Sequence, residues 1–423
     1  MKENKFLNFM EMRKNLGSRP GLKNITELMK RLKNPEKNLR VIQIAGTNGK
    51  GSTTQILSEI LKQNGYIVGT FTSPELETPL DEIKFNDEII SEEDFNFFVQ
   101  KIIPIADDMD KTGNFLTYFE ILTAIAVLYL SDKNPDFAIF ECGMGGKYDA
   151  TNIFTDKKAC VFTSISLDHI DFLGDTIEKI AKNKAGIIKQ SEPVISYPSP
   201  EDAVNTIRQT AYNMHSEYFE VSKNDIEIKK TDSEGSVFSY DKYKDLKINL
   251  LGTHQVYNAS LALKTIDVME EHGYIKTDKS LTRKALLKIR HYGRLEKLAD
   301  KNIILDGAHN SDGIDALVNF LSDMNYHKII FLVGILKDKD FNYMAKRLCK
   351  FNARFVITEV PNPRKADIEV LKNTFSKYTD DIIAFKDYHD ALKQALLMYD
   401  DDTPLVVCGS LYLMSKIRIL LNL

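Results

Sequence analysis

The sequence lacks tryptophan and has only four cysteines among 423 residues, at Cys142, Cys160, Cys349 and Cys408. These cysteines lie far apart and have none of the spacings that are typical of metal sites. The sequence therefore predicts neither a disulfide framework nor a cysteine-bound metal. Three of them stand in apolar runs, as expected for small core residues of a reduced, cytoplasmic protein.

A long apolar run is missing as well. The longest, around residues 121–130, is shorter than the roughly 20 residues that a membrane-spanning helix needs. The first residues are polar and charged, without the apolar core of a secretory signal. We therefore expect a cytoplasmic protein without a membrane partner.

Neither sign of charge is in large excess. Lysine and arginine number 56, aspartate and glutamate number 60, and the formal net charge is −4. This balance argues against a broad nucleic-acid-binding surface but permits local basic pockets for anionic substrates. A chain of 423 residues exceeds what one hydrophobic core usually supports. We expect two domains, at residues 1–295 and 296–423.

The most informative segment begins at the apolar run Val41–Ala45, which predicts a strand, and continues into helical spacing of apolar residues from Thr53 onward. The loop between them offers main-chain N–H groups beside the positive end of a helix dipole, and these together form an anion site. Lys50 can reach a terminal phosphate, and Ser52 can offer its hydroxyl to Mg²⁺. The candidate nucleotide-binding residues of the loop are Gly46, Thr47, Asn48, Gly49, Lys50, Gly51 and Ser52.

The spacing of this loop differs from the standard P-loop pattern. That pattern has four residues between its first glycine and the Gly-Lys pair, whereas Gly46 and Gly49 are separated by two. A glycine-rich turn without a ligand is the alternative interpretation. The combination of Lys50 and Ser52 directly after an apolar strand favours the phosphate site.

Apolar runs of strand length alternate with runs of helix length, which is typical of βαβ units and predicts a mostly parallel sheet. Helices are predicted at Phe119–Leu130 and Ile177–Ile188. Residues 215–250 are polar and turn-rich, and we expect them to form antiparallel strands at the edge of the first domain. The other strands predicted in this domain are Val41–Ala45, Ile67–Phe71, Phe137–Cys142, Cys160–Ile165 and Val194–Tyr197.

A second βα series begins near residue 296. Its predicted strands are Ile303–Leu305, Ile329–Val333, Phe355–Thr358, Ile382–Phe385 and Leu405–Cys408. The predicted fold class is therefore α/β. It comprises an N-terminal P-loop-type ATPase domain, with a mostly parallel sheet and a small antiparallel edge, and a smaller C-terminal Rossmann-like domain.

Polar side chains follow the predicted strands of the first domain where the strands end. Ser52 and Ser73 come after the first two strands, Glu141 ends the third, and His169 follows the fourth. Ligands of open α/β sheets bind beyond these ends, and Mg²⁺ prefers oxygen ligands, so the four residues are candidate metal ligands. Histidine is less usual for Mg²⁺ and would indicate a second metal position. The alternatives are a helix-cap or surface carboxylate at Glu141 and a hydrogen-bonded structural histidine at His169.

Two interpretations of Lys184 stay open. It lies in a predicted helix with other lysines and is either solvated or buried, and a buried lysine has a lowered pKa and becomes chemically reactive. In the second domain, Asp306 and His309 follow the strand Ile303–Leu305. Asp306 can accept hydrogen bonds from a ribose or an amine, and His309 can contact a phosphate.

These segments together resemble the folylpolyglutamate synthase/dihydrofolate synthase family of the Mur ligase superfamily. The resemblance runs in family order over nearly the whole chain, and the shorter glycine loop is the form that this family has. The matching segments are Gly46–Ser52, Thr72–Pro74, Glu141–Gly146, Asp149–Asn152, Asp168–His169, Lys184–Ile187, Gly252–Gln255, Asn258–Ala259, Gly293–Glu296, Asp306–Asn310 and Gly409–Leu413.

The resemblance implies roles for the matching residues. Lys50 and the loop amides would hold the β- and γ-phosphates of ATP, and Lys184 matches a lysine that CO₂ carbamylates in the family. His309 matches a histidine near the phosphates and the glutamate site. Two Mg²⁺ sites would be served by Ser52, Ser73, Glu141 and His169. Positions that hold the nucleotide are matched by Asn258, Arg294 and Asp306.

The activity implied is ATP-dependent ligation of L-glutamate to a folate through an acyl phosphate, with dihydropteroate as a further acceptor. The partners expected are these small molecules, and the resemblance favours a monomer. A Mur-type ligase with a non-folate carboxylate acceptor is one alternative. A P-loop kinase or switch protein and a catalytically silent nucleotide-binding module are the others.

Three positions depart from the family pattern. Glu75 stands where the family usually has histidine, and Glu82 stands where it commonly has arginine. Both changes make the loop near the expected pterin or folate pocket more acidic. The usual proline before Gly293 is also missing. The resemblance therefore supports the ATP and metal residues better than the identity of the acceptor.

Overall fold

The computed structural model of the chain describes residues 5–17, 19–298 and 301–422. Contacts divide the chain into two compact units. The first takes the described residues up to Asp225 together with Asn258–Leu286, and the second takes Ile226–Tyr257 and the described residues from Leu287 onward. The sequence predicts a single boundary, between residues 295 and 296, whereas the chain passes between these units more than once.

The first unit is built around an eight-stranded sheet whose strand order is β4-β3-β2-β5-β1-β6-β7-β8. Strands β2, β5, β1, β6, β7 and β8 run parallel to one another, while β3 and β4 pair antiparallel at one edge. The strands are β1 (Val41–Ala45), β2 (Val68–Phe71), β3 (Ile83–Phe85), β4 (Glu88–Ile89), β5 (Phe137–Glu141), β6 (Lys157–Phe162), β7 (Val194–Ser196) and β8 (Tyr218–Glu220).

Helices accompany this sheet because most connections between parallel strands need a crossover. The helix that begins at Tyr118 carries a side-chain cap, in which Thr117 accepts a hydrogen bond from the N–H of Glu120. The helices are α1 (Lys5–Lys14), α2 (Lys23–Arg31), α3 (Lys50–Gln63), α4 (Glu92–Asp110), α5 (Tyr118–Lys133), α6 (Ile170–Leu173), α7 (Ile177–Lys184), α8 (Glu201–Asn213), α9 (Thr253–Glu271) and α10 (Lys279–Lys288).

The second unit contains two sheets. A three-stranded antiparallel sheet has the order β11-β10-β9, and a six-stranded sheet has the order β12-β13-β17-β14-β15-β16, parallel except for the β12–β13 pair. The strands are β9 (Ile226–Asp232), β10 (Gly235–Tyr240), β11 (Tyr243–Ile248), β12 (Glu296–Lys297), β13 (Ile303–Leu305), β14 (Ile329–Val333), β15 (Ala353–Thr358), β16 (Ile382–Phe385) and β17 (Leu405–Cys408). The helices are α11 (Ser311–Asp323), α12 (Phe341–Leu348), α13 (Ile368–Phe375), α14 (Tyr388–Leu396) and α15 (Leu411–Leu420).

The predicted α/β fold class is confirmed, and so is a small antiparallel edge on a mostly parallel sheet. The location predicted for that edge is wrong. The edge consists of β3 and β4, whereas the segment predicted for it forms the separate sheet β9–β11 and the short parallel strand β8. Strands β9 to β11 pair with one another through their own turns, so their alternating pattern says nothing about which unit they join.

The strand predicted at Cys160–Ile165 is displaced toward the N-terminus. It begins at Lys157, whose amine is buried against Glu192 at 2.9 Å, so a charged residue stands where sequence patterns predict an apolar one. It ends at Phe162, the last of its residues that pairs with the neighbouring strands. Helix α7 likewise ends at Lys184, and a 3₁₀ turn at Ala185–Ile187 continues it.

No helix within the described residues has both the length and the apolar character that crossing a membrane would require. The four cysteines are all free thiols, and Cys142, Cys160 and Cys408 are buried. Burial raises the pKa of the Cys142 thiol to about 12, so it stays protonated and packs as a small core residue.

Candidate active site

The carboxyl ends of four parallel strands meet at one edge of the first unit's sheet. In the register of the ladder, Ile44 of β1 lies opposite Glu141 of β5, Ala45 lies opposite Phe162 of β6, and Phe71 of β2 lies opposite Phe140. The segments that follow these strands therefore start side by side. This edge brings together the loops that carry Lys50, Ser73, Glu141 and His169.

The glycine loop lies between β1 and the first turn of α3, and its backbone explains two of its glycines. Gly49 has φ of +86°, and a Cβ atom there would lie 2.5 Å from Oδ1 of Asn258. A Cβ atom on Gly46 would lie 1.7 Å from Oγ1 of Thr163. Larger residues are therefore excluded by both conformation and space. The contact also places Asn258 beside the loop, although more than two hundred residues separate them in sequence.

The segment after β6 fixes the shape of the loop. The N–H of Thr47 donates to the carbonyl of Ser164 at 2.7 Å, and the Thr47 hydroxyl donates to the carbonyl of Ser166 at 3.1 Å. The Ser164 hydroxyl donates to the carbonyl of Asn48 at 3.3 Å. These bonds hold the backbone of the loop before any ligand arrives, which is the preorganisation that an anion site requires.

Lys50 and Glu141 lie next to each other at the sheet edge. Nζ of Lys50 is 3.7 Å from Oε1 of Glu141 and donates to the carbonyl of Thr47 at 3.1 Å. The side chain of Glu141 is 5% exposed, whereas that of Lys50 is 15% exposed. Ser52 is buried in the first turn of α3. A cation, a carboxylate and a hydroxyl therefore surround the start of a 14-residue helix, where the dipole also attracts anions.

Lys184 is buried, so the structure decides between the two interpretations of this lysine. Its Nζ donates to the carbonyl of Gly46 at 2.6 Å, directly below the glycine loop. Burial, reinforced by the positive charge of Lys50, lowers the pKa of Lys184 to about 7. The lowered pKa makes the neutral, nucleophilic form of the amine accessible near neutral pH.

Ser73 and His169 reach the same edge from the other loops. Ser73 stands two residues after β2, and its peptide bond to Pro74 is cis. His169 has φ of +50°, and its Nε2 lies 4.0 Å from Oδ2 of Asp168. Its side chain is 35% exposed and can therefore meet a ligand from solvent.

A metal bound here would depend on oxygen ligands from more than the protein. Among the described residues, no three or more histidine, cysteine, aspartate or glutamate side chains cluster as a metal site. The buried carboxylate of Glu141 and the hydroxyl of Ser52 nevertheless fit Mg²⁺, which takes one or two protein oxygens and completes its shell with phosphates and water. The donor set fits a magnesium ion that arrives with a nucleotide.

A second carboxylate near this edge is unusual. Glu82 is 3% exposed. Burial, with the negative charges of Glu75 and Glu141, raises the pKa of Glu82 well above its ordinary value. The two acidic departures noted in the sequence thus influence each other electrostatically.

In the second unit, Asp306 is buried and bound to the main chain. Its Oδ2 accepts a hydrogen bond from the N–H of Leu295 at 2.8 Å, and its Oδ1 accepts one from the N–H of Ala308 at 2.8 Å. Burial raises the pKa of Asp306, and the nearby charge of Arg294 opposes this shift. Asp306 therefore shapes the turn that carries Arg294, a contribution that sequence reasoning did not predict.

His309 follows on the same loop, where its Nδ1 lies 2.8 Å from the carbonyl of Gly307. That contact holds the imidazole ring in one orientation. His254, in the same unit, is half-buried, and desolvation lowers its pKa to about 4, so it stays neutral near pH 7. In the sequence, the only sign of this environment is the place of His254 near Gly252, at the start of α9.

Sequence reasoning also missed the network that closes the loop after β5. Asp149 is buried and accepts hydrogen bonds from the N–H of Met144 at 2.8 Å, the N–H of Thr151 at 3.0 Å and the Thr151 hydroxyl at 2.6 Å. Gln43 in turn donates to the Thr151 carbonyl at 2.9 Å. The polar Gln43 within an otherwise apolar strand was the available signal, because a buried amide needs partners.

Two family models match the chain in consecutive segments. The Mur ligase middle domain matches residues 44–266, and the Mur ligase glutamate ligase domain matches residues 293–411. Together they cover the glycine loop, Glu141, Lys184 and the segment from Arg294 to His309.

Curated relatives match over almost the full length. The chain is 34% identical to the dihydrofolate synthase/folylpolyglutamate synthase of Bacillus subtilis, covering 95% of each protein. It is 31% identical to the folylpolyglutamate synthase of Lacticaseibacillus casei, covering 93% of this chain and 92% of the relative.

Solved structures of similar proteins have a closely similar fold over nearly the whole chain. The folylpolyglutamate synthase of Mycobacterium tuberculosis complexed with ADP superposes with a TM-score of 0.91 at 26% identity, covering 99% of this chain and 98% of that one. The E. coli FolC structure in complex with DHPP and ADP gives a TM-score of 0.87 at 26% identity, with 99% and 97% coverage. The corresponding enzyme of Thermotoga maritima gives 0.86 at 31% identity, with 99% and 96% coverage.

Proposed function

Because the chain belongs to the folylpolyglutamate synthase/dihydrofolate synthase family of Mur ligases, we propose that it joins L-glutamate to the carboxylate of a folate at the expense of ATP. Dihydropteroate is a further proposed acceptor. The observation that carries the proposal is the preorganised glycine loop with Lys50 and Glu141 at its end and a buried Lys184 beneath it.

The chemistry follows from the weakness of a carboxylate as an electrophile. Attack of the acceptor carboxylate oxygen on the γ-phosphorus of ATP forms an acyl phosphate and releases ADP. The neutral α-amine of glutamate then attacks the acyl carbon and loses a proton, and the resulting tetrahedral intermediate expels phosphate to give the amide. The phosphate therefore leaves with one oxygen that came from the acceptor.

Lys50 and the main-chain N–H groups of the loop are proposed to bind the β- and γ-phosphates. Charge gathers on the transferring phosphoryl group, and a fixed ammonium group with aligned N–H donors stabilises that charge without reorganising. Two Mg²⁺ ions would supply further charge neutralisation when bound. Their proposed protein ligands are Ser52, Ser73, Glu141 and His169.

Lys184 is proposed to be carbamylated. Its neutral amine attacks CO₂ to form a carbamate and releases one proton, so a cationic side chain becomes an anionic one. The lowered pKa of Lys184 supplies the neutral amine that this step needs. A carbamate beneath the glycine loop would present oxygen atoms toward the second metal position.

The nucleotide is further proposed to contact Asn258, Arg294 and Asp306, and the phosphates and glutamate to contact His309. Asn258 already lies against Gly49, which supports its assignment. Since Asp306 uses both oxygens for main-chain N–H groups, its proposed contact depends on their remaining lone pairs. The monomeric state and the cytoplasmic location remain predictions from the sequence.

The match of residues 293–411 to a glutamate ligase domain favours a ligase over a kinase or a switch protein. The deciding experiment measures phosphate release from ATP with tetrahydrofolate and with dihydropteroate, each with and without L-glutamate. The proposal expects release that requires both acceptor and glutamate. Turnover with a muramoyl peptide but with no pterin would assign a different acceptor, and transfer to a hydroxyl without an amine would overturn the ligase.

A further inference from the structure

The loop that follows Glu141 is joined to the helix that ends at Lys184. Oδ1 of Asn183 accepts a hydrogen bond from the N–H of Gly146 at 3.1 Å, and the main-chain carbonyl of Asn183 accepts one from the N–H of Lys147 at 2.8 Å. That carbonyl belongs to the last turn of α7, where carbonyl groups lack partners within the helix. Two successive N–H groups of the loop are therefore bound by one residue.

The loop approaches the helix too closely for side chains to fit between them. A Cβ atom on Gly146 would lie 2.5 Å from the carbonyl oxygen of Lys184, and a Cβ atom on Gly145 would overlap Oδ1 of Asn183. Gly146 is buried, so its N–H depends on an acceptor from the protein. The Asn183 side chain supplies that acceptor and thereby determines how the loop and the helix fit together.

The same contact fixes the backbone from which the Lys184 side chain extends. Lys184 directly follows Asn183, and its Nζ donates to the carbonyl of Gly46 at 2.6 Å. A shift of Asn183 relative to the loop therefore moves the amine relative to Gly46. A second asparagine holds the other side of Lys184, since Nδ2 of Asn152 donates to the carbonyl of Gly186 at 3.1 Å. That bond remains when Asn183 alone is changed.

Resting on the proposed function, we propose that Asn183 is a positioning residue for the carbamylation of Lys184. It acts through the backbone of Lys184, which it holds against the loop of Glu141, so that the amine stays at the place where it meets CO₂. There the amine nitrogen bonds to the carbon of CO₂, one C=O π pair becomes an oxygen lone pair, and the amine releases one proton to water. The resulting carbamate keeps a fixed position relative to Glu141.

The size of the effect follows from the strength of one hydrogen bond. A neutral hydrogen bond changes an equilibrium by roughly two- to tenfold. Asn183→Ala should therefore raise the CO₂ concentration that carbamylates half of Lys184 by roughly two- to tenfold. When CO₂ is limiting, kcat should fall by a similar factor, while KM for ATP stays unchanged because the bonds that hold the glycine loop remain. A residue that only capped the helix would change the stability and leave the CO₂ dependence as in wild type.

The experiment titrates the full-length enzyme with ¹³C-labelled bicarbonate and measures the carbamate signal by ¹³C NMR. Glutamate-dependent phosphate release with dihydropteroate and with tetrahydrofolate is measured at limiting and at saturating bicarbonate. The wild type is compared with Asn183→Ala, with Asn183→Ser, and with Asn183→Asp, which keeps an accepting oxygen in place. Lys184→Met gives the background signal. Asn205→Ala is the control, because Asn205 is exposed on α8, where its Oδ1 accepts a hydrogen bond from Arg208.

The proposal expects weaker carbamylation and a lower kcat in Asn183→Ala, both restored at saturating bicarbonate, and wild-type behaviour in Asn183→Asp and in the control. Asn183→Ser should weaken carbamylation as well, so the test survives if Asn183→Ala fails to fold. The positioning role would be overturned by an unchanged CO₂ dependence in Asn183→Ala, by a loss that bicarbonate does not restore, or by a wild-type signal no larger than the background. A wild-type carbamate signal that depends on Asn183, without turnover of either acceptor, would instead contradict the proposed ligation.

Discussion

Replacing Lys184 by methionine should stabilise the fold and end ligation. The amine of Lys184 is buried, and its single hydrogen bond to a protein carbonyl, that of Gly46, does not compensate for the loss of hydration. Methionine fills a similar volume without a charge to desolvate. It cannot form a carbamate, so we expect glutamate-dependent phosphate release to disappear.

The pKa of Lys184 gives the magnitude of the stabilisation that we expect from Lys184→Met. This pKa falls from the ordinary lysine value of 10.5 to about 7 in the folded protein. Between these values the unfolded chain binds more protons than the folded one, so the stability of the wild type rises with pH. By linkage, burying this lysine lowers the free energy of unfolding of the wild type by about 4 kcal/mol at pH 7 and by about 2 kcal/mol at pH 9. Losing the hydrogen bond removes about 1 kcal/mol from the gain.

We therefore expect Lys184→Met to raise the free energy of unfolding by about 3 kcal/mol at pH 7 and by about 1 kcal/mol at pH 9. Urea unfolding in CO₂-depleted buffer measures this, followed by circular dichroism because the chain has no tryptophan. Lys182→Met, on the exposed face of the same helix, should change neither stability nor activity. A destabilised Lys184→Met protein, or a gain that does not depend on pH, would refute the reasoning.

Three further changes test other parts of the account. Lys50→Ala should lower kcat in steady-state kinetics by on the order of 10²–10³, because a charge that stabilises the phosphate is lost. Near-normal turnover would contradict that role. The control Lys101→Ala, on an exposed part of α4, should behave as wild type. Gly49→Ala should weaken ATP binding in calorimetry far more than Gly65→Ala, because both glycines have positive φ but only Gly49 lacks space for a Cβ atom. Glu192→Ala should lower the free energy of unfolding by about 3–5 kcal/mol in a urea titration, since it leaves a buried lysine charge unpaired, and a loss below about 1 kcal/mol would disprove the pairing.

Much of the fold could be predicted from sequence because buried parallel strands read as short apolar runs. Val41–Ala45 and Ile329–Val333 have the predicted bounds in the structure. Apolar runs do not mark the start of a strand where polar residues are buried in pairs. Lys157 begins a strand that apolarity places three residues later, since its charge is paired with Glu192.

The candidate site could be located from sequence because parallel strands deliver their loops to one edge. That rule brought the loops of Ser52, Ser73, Glu141 and His169 together. The sequence could not show whether Lys184 is buried. A helix face that is solvated and a helix face that packs against a loop distant in sequence can have the same periodicity. The burial of Glu82 was equally hidden, since a glutamate is rarely expected in a protein interior.

The central claim is that the acceptor is activated as an acyl phosphate on the glycine loop. It is tested most directly by supplying tetrahydrofolate monoglutamate labelled with ¹⁸O in its carboxylates, together with ATP and L-glutamate, and analysing the released phosphate by mass spectrometry. We expect one ¹⁸O atom in each phosphate released at full labelling. Phosphate without ¹⁸O, while amide product accumulates, would contradict the claim.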